Sequence, residues 1–194
     1  TDIVIHSATK YLGGHSDICA GVVLGSKATI DRVFNSAKNL GGSLSEYTVW
    51  LLERSIKTLF VRVQAQNNNA KLIADFLENE SWVERVYYPG LKSHPNHNIA
   101  KMQMKGFGGM LSFDLVPEID SKKFLLELDL IKPTISLAGI ETTALSPSLT
   151  SHSLLTEIER LSQGITLQMI RLSAGIESIE DLKNDLFQSI KKQI

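Results

Sequence analysis

The feature that most constrains the fold is an alternation along the chain. Short runs of β-branched and aliphatic residues are each followed by a segment with helical spacing. Ile3-Val4-Ile5 predicts a short buried strand, with His6 to Lys10 as its exit. Ala20 to Leu24 predicts a second strand, stopped by Gly25-Ser26, and Ala28 to Lys38 predicts a helix that ends at Leu40-Gly41-Gly42. Further strands are expected at Val83 to Tyr88, Met110 to Leu115, Ile135 to Gly139 and Leu167 to Ser173. Helices are expected at Asn98 to Met104, Ser121 to Leu128, Leu154 to Gln163 and Ser178 to Gln193. Strands and helices in alternation argue for an α/β fold.

One helix is expected to be long. Ser43 with Glu46 three residues on forms the pattern of a capping box, and apolar residues then keep helical spacing through Val49, Trp50, Ile56, Leu59, Phe60 and Val63. Ala70, Ile73, Ala74 and Leu77 continue the stripe. About 33 residues in one helix would span roughly 50 Å, the length of a bridge between two domains. The polar run Gln64 to Asn69 is the expected place for a bend.

Composition removes several functions. The 194 residues are 43% hydrophobic and 21% charged, with a net charge of -1. That is enough chain for a core in one domain or two small ones. A charge so near zero gives no long-range steering toward nucleic acid or an anionic membrane. No run is long and apolar enough for a membrane span. Cys19 is the single cysteine, so no intramolecular disulfide is possible and a reducing, cytoplasmic setting is expected. No Cys/His spacing suggests a metal site. The chain opens on Thr1-Asp2 and runs at once into a strand, so it is expected to be part of a longer protein.

The first strand exit carries the chemistry. Ser7, Thr9 and Lys10 follow it directly, and loops after strand C-termini build active sites in open α/β sheets. No GxxxxGK[ST] pattern is present, which excludes a P-loop. Taken alone, Lys10 reads more readily as a solvated lysine after a strand than as a reactive amine. Arg171 lies mid-strand, alternating with Met169 and Ser173. On its own it reads equally as the cation of a structural ion pair or as a group that binds an external anion. Ser136 reads as a strand-end cap, Glu141 as a solvated charge, and His6 and His15 as structural groups without a catalytic partner.

Longer blocks add a resemblance. Ser7-Ala8-Thr9-Lys10-Tyr11, Gly14-His15-Ser16-Asp17 and Ala20-Gly21-Val22-Val23 together resemble the cofactor-attachment segment of the cystathionine synthase/lyase family of pyridoxal-phosphate enzymes. Leu51 to Leu59 is similar to that family's bridging helix, and Val86 to Leu91 with His94-Pro95 to a further block. Gly106 to Phe113, Ser136 to Glu141, Pro147 to His152 and Ile170 to Glu177 follow in family order.

The resemblance implies the C-terminal part of a fold-type I enzyme. Residues 1–55 would be the end of the large pyridoxal-phosphate domain, and residues 56–194 the small α/β C-terminal domain. It implies elimination or replacement at Cβ or Cγ of sulfur amino acids. Lys10 would attach pyridoxal 5'-phosphate, Ser7 and Thr9 would hold its phosphate, and Arg171 would clamp the substrate carboxylate. Ser136 would lie beside the substrate, and Glu141 would recognise its distal part. Ala138-Gly139 stands where the family has two glycines, and the extra methyl would narrow the pocket slightly without abolishing binding. The family's ring-nitrogen carboxylate, its stacking aromatic and further phosphate donors lie upstream of the lysine, so the missing N-terminal half is an expected partner, in a homotetramer. The other expectation is a non-catalytic fragment that only packs against a partner chain.

Overall fold

A computed structural model describes residues 1–191. The chain divides into two compact units, Thr1–Val61 and Arg62–Ile194, each with its own apolar cluster.

In the first unit, strand β1 (Ile3–Ser7) pairs antiparallel with β2 (Gly21–Gly25), Ile3 opposite Gly25 and Ser7 opposite Gly21. The expected strands are present, but the expected burial is not: every residue of β1 is exposed, Ile5 at 74%. A two-stranded ribbon is too narrow to bury side chains on both faces. A single wide helical turn, Ala8–Leu12, follows β1. Helix α1 (Lys27–Leu40) starts where the Ser26 side chain accepts from Thr29 N and stops at Gly41, whose φ of 73° is left-handed, a conformation that glycine adopts freely. Helix α2 (Glu46–Ile56) is capped by Ser45, which accepts from Thr48 N. The expected cap at Ser43 is therefore displaced by two residues, with Glu46 opening the helix instead of closing a box.

The expected long helix is two helices. Lys57 N turns back to Arg54 O and Thr58 N to Ser55 O, and the tightened turn separates α2 from α3 (Leu59–Leu77). The polar run does not bend the chain. Gln66 and Asn69 are buried there and hydrogen-bonded to loop carbonyls, which removes the need for them to face water.

The second unit is a mixed α/β layer structure. Its sheet contains β3 (Val83–Tyr87), β4 (Met110–Leu115), β5 (Lys132–Pro133), β6 (Thr143–Leu145) and β7 (Met169–Ser173), in spatial order β3-β4-β7-β6-β5. All pairs are antiparallel except β5 with β6. The strand expected over Ile135 to Gly139 is a loop, because Ala138 has a φ of 66° and cannot be extended there. Helices α4 (His97–Gln103), α5 (Ser121–Leu126), α6 (Glu157–Ser162) and α7 (Ile179–Lys191) complete the unit. Helix α6 begins later than expected because Thr156 and Glu159 form a capping box. The expected end of α7 at Gln193 lies outside the described residues.

Apolar stripes of α3 (Ala70, Ile73, Leu77) and α7 (Leu182, Leu186, Ile190) join Phe113, Leu115, Ile170 and Leu172 of the sheet in one core. Trp82 is buried there against Phe76, Phe113 and Phe124. Asp185 is also buried, and its carboxylate accepts the N–H groups of Asp129, Leu130 and Ile131 at 2.7–3.0 Å.

Candidate active site

The turn after β1 is held from several sides. Thr9 N donates to Ala20 O at 3.1 Å. The Thr9 hydroxyl also donates to Ala20 O at 3.3 Å and accepts Ala20 N at 2.9 Å. Gly13 N closes the turn on Ala8 O and Gly14 N closes it on Lys10 O. A Cβ at Gly13 would lie 2.7 Å from Ala8 O and 2.9 Å from Ile18, so the closure requires glycine. His15 Nδ1 lies 2.7 Å from Gly13 O and 3.3 Å from Ser55 Oγ. It ties the glycine loop to α2, a structural role.

Lys10 sits at the kink of this turn, with φ -88° and ψ -128° inside an otherwise helical segment. It is half-buried, on a turn anchored by the small apolar cluster of Ala8, Ile18 and Leu52. Ser7 is exposed and makes no capping bond, so its hydroxyl is open to a ligand. The Thr9 hydroxyl proton is already placed on Ala20 O, and a phosphate would require it to rotate. An amine on a rigid turn with a free hydroxyl three residues before it is a donor set that fits a phosphate-bearing aldehyde.

In the second unit, Arg171 projects from β7 toward the loop that replaces the expected strand. Its Nη2 donates to Ile135 O at 3.1 Å and to Ser136 O at 3.3 Å, and its Nε is buried without a hydrogen-bond partner. Burial lowers its pKa from the ordinary value, though an arginine keeps its charge. Among the described residues no carboxylate forms an ion pair with it. The guanidinium is thus oriented by carbonyls while its charge is unmatched, which suits capture of an external carboxylate.

Arg171 and Ser136 are brought together. Glu141 is exposed. The acid that shapes the loop is Glu177, which accepts Thr142 N at 2.5 Å and the Thr142 hydroxyl at 2.7 Å. A Cβ at Gly175 would collide with Ile140 O and the Glu177 carboxylate. Ser173 Oγ accepts Ala138 N at 2.8 Å. Gln66, Asn69, Ser173 and Glu177 were not among the sequence candidates. The signal for the first two was their three-residue spacing on the apolar face of α3.

Comparison with known proteins places the chain. Residues 1–191 match the family described as Cys/Met metabolism PLP-dependent enzyme. A cystathionine beta-lyase of Lactococcus lactis subsp. cremoris (strain MG1363) is 45% identical over 193 residues, covering 99% of this chain and 51% of the relative. An L-methionine gamma-lyase of Fusobacterium nucleatum subsp. polymorphum is 42% identical over 194 residues, covering 98% of this chain and 49% of the relative. A crystal structure of cystathionine gamma-lyase from Lactobacillus plantarum, complexed with L-serine, superposes with a TM-score of 0.91 at 40% identity, over 98% of this chain and 50% of that one. The chain spans about half the length of the relatives it matches. Sequence blocks in family order, a fold shared with a solved lyase and a match over nearly every residue agree, and the chain belongs to the Cys/Met metabolism family of PLP-dependent enzymes.

Proposed function

We propose that the complete protein catalyses elimination or replacement at Cβ or Cγ of sulfur amino acids with pyridoxal 5'-phosphate. The observation that carries this reading is Arg171, a part-buried guanidinium aimed by two carbonyls and paired with no carboxylate of the described residues. A structural ion pair would have supplied that carboxylate.

Bound pyridoxal phosphate supplies an electron sink for charge that develops at the substrate Cα. Lys10 would be the residue that attaches the cofactor, and its amine would carry protons between the substrate Cα and Cβ. Ser7 donates its hydroxyl to the phosphate, joined by Thr9 after rotation away from Ala20 O. Arg171 grips the substrate carboxylate through two parallel N–H donors and so fixes which Cα bond is turned for cleavage. Ser136 borders the substrate, and the exposed Glu141 meets its distal part.

In this reading residues 1–55 belong to the large cofactor domain and residues 56–194 to the small one. The half of the relatives' length that lies outside this chain supplies the carboxylate for the ring nitrogen. A cytoplasmic homotetramer is part of the same proposal. No helix among the described residues is long and apolar enough to cross a membrane.

The test is Arg171→Lys in the complete protein, assayed on L-cystathionine. Lysine keeps the charge and loses the planar fork. The expected loss in kcat/KM corresponds to about 2–5 kcal/mol, as for a buried charge pair losing its partner. Unchanged kinetics would remove the carboxylate role from Arg171.

A further inference from the structure

Helix α3 places Arg62, Gln66 and Asn69 on one face, and all three are buried. Asn69 is well partnered, donating to Gly175 O at 3.1 Å and Glu177 O at 2.9 Å. Gln66 is different. Its Nε2 donates to Gly139 O at 2.6 Å, while its Oε1 is buried with no hydrogen-bond partner. A side chain that is 0% exposed with one polar atom orphaned costs stability relative to an apolar residue of similar volume. Stability does not account for a glutamine here; one aimed bond to one carbonyl does.

That carbonyl lies next to the strained point of the loop. Ala138 holds a φ of 66°, which a residue with a Cβ adopts at a cost and keeps only when its surroundings insist. Ser173 Oγ holds Ala138 N on one side, and Ile176 N holds Ile140 O on the other, at 2.9 Å. Gln66 fixes the residue between them. Upstream in the same loop are Ile135 O and Ser136 O, the two acceptors that aim Arg171.

We propose that Gln66 is a positioning residue for substrate binding. By gripping Gly139 O it keeps Ala138 left-handed, and the loop so held presents the Ile135 and Ser136 carbonyls that orient Arg171 toward the substrate carboxylate. The inference rests on Arg171 being that clamp. Without the Gln66 donor, Ala138 relaxes toward ordinary backbone, the two carbonyls shift, and Arg171 keeps its charge but loses its aim. Substrate affinity falls, while the proton transfers at Lys10 continue.

The test uses the complete enzyme with Gln66→Leu, and Gln66→Met as an unbranched second variant should leucine fail to pack. KM for L-cystathionine should rise about tenfold, the scale of one well-placed hydrogen bond, with kcat within about twofold of wild type. Backbone hydrogen exchange should quicken over Ile135 to Glu141 and stay unchanged in β4 and β7. Gln66→Glu should match the leucine variant at pH 8.5. It should return toward the wild-type KM at pH 6, where the buried carboxyl, its pKa raised by desolvation, regains an O–H donor. Exchange in the loop equal to wild type in both apolar variants overturns the role of Gln66. Faster exchange with unchanged KM overturns it as well, leaving a purely structural contact. If Arg171→Lys leaves KM untouched, the reading of Arg171 fails instead, and the exchange data still decide whether Gln66 holds the loop.

Discussion

The two units of this chain treat their apolar residues in opposite ways. The second buries Phe113, Phe124, Ile170, Leu172, Leu182 and Leu186 in one continuous core. The first buries three, Ala8, Ile18 and Leu52, and exposes Ile3, Val4, Ile5, Tyr47 and Trp50. The difference separates a region whose own residues close a core from one whose apolar residues stay exposed. β1 has the composition of an interior strand and the exposure of an edge. Lys10 sits in the less covered unit, where its turn is fixed by hydrogen bonds and a glycine contact more than by packing.

The sharpest way to break this contrast is to truncate one apolar residue in each unit. Phe113→Ala should cost about 3–5 kcal/mol in chemical denaturation, because it opens a cavity in a closed core. Ile5→Ala in the same chain should change stability by no more than about 0.5 kcal/mol, as for an exposed site. Equal effects would mean that β1 is covered after all.

The next effect concerns polar groups inside the second core. Asp185→Ala leaves the N–H groups of Asp129, Leu130 and Ile131 without their acceptor. A loss of about 3 kcal/mol is expected, since buried donors would be stranded. Tyr87→Phe should cost about 1–2 kcal/mol, because the hydroxyl donates at 2.7 Å to the buried Asp114. Burial first, and then that hydrogen bond, push Tyr87 up to about 12. Its raised pKa favours the neutral form in the folded state, so this contribution is complete below about pH 10 and is lost as pH rises through about 12. Ultraviolet titration of wild type against Tyr87→Phe should show the missing phenol among the last to ionise. The smallest effect is Thr156→Ala, about 1 kcal/mol for the cap of α6, read from the denaturation midpoint.

The same contrast explains what was legible in the sequence. Strand β4 matches its expected bounds because Met110 to Leu115 carries an alternation that the core enforces. The family was legible because block patterns run along the chain, among them those around Ser7, Lys10 and Arg171. The burial of Ile3 to Ile5 was misjudged because apolar composition states what a strand needs and not what this chain supplies. The break at Lys57–Thr58 was hidden, since apolar spacing runs through it while the backbone tightens. The loop at Ala138 was hidden for the opposite reason: a left-handed alanine leaves no trace in composition and is imposed by Ser173 and Gln66, distant in sequence. Glu141 was visible and Glu177 was not, although Glu177 is the acid bonded to the loop.

The central claim is that Lys10 attaches the cofactor, and borohydride reduction of the complete protein loaded with pyridoxal phosphate tests it most directly. Peptide mapping should recover the pyridoxyl label on Lys10, and Lys10→Ala should abolish labelling while leaving the denaturation midpoint near wild type. Recovery of the label on Lys27, Lys38 or Lys57 instead would contradict the assignment.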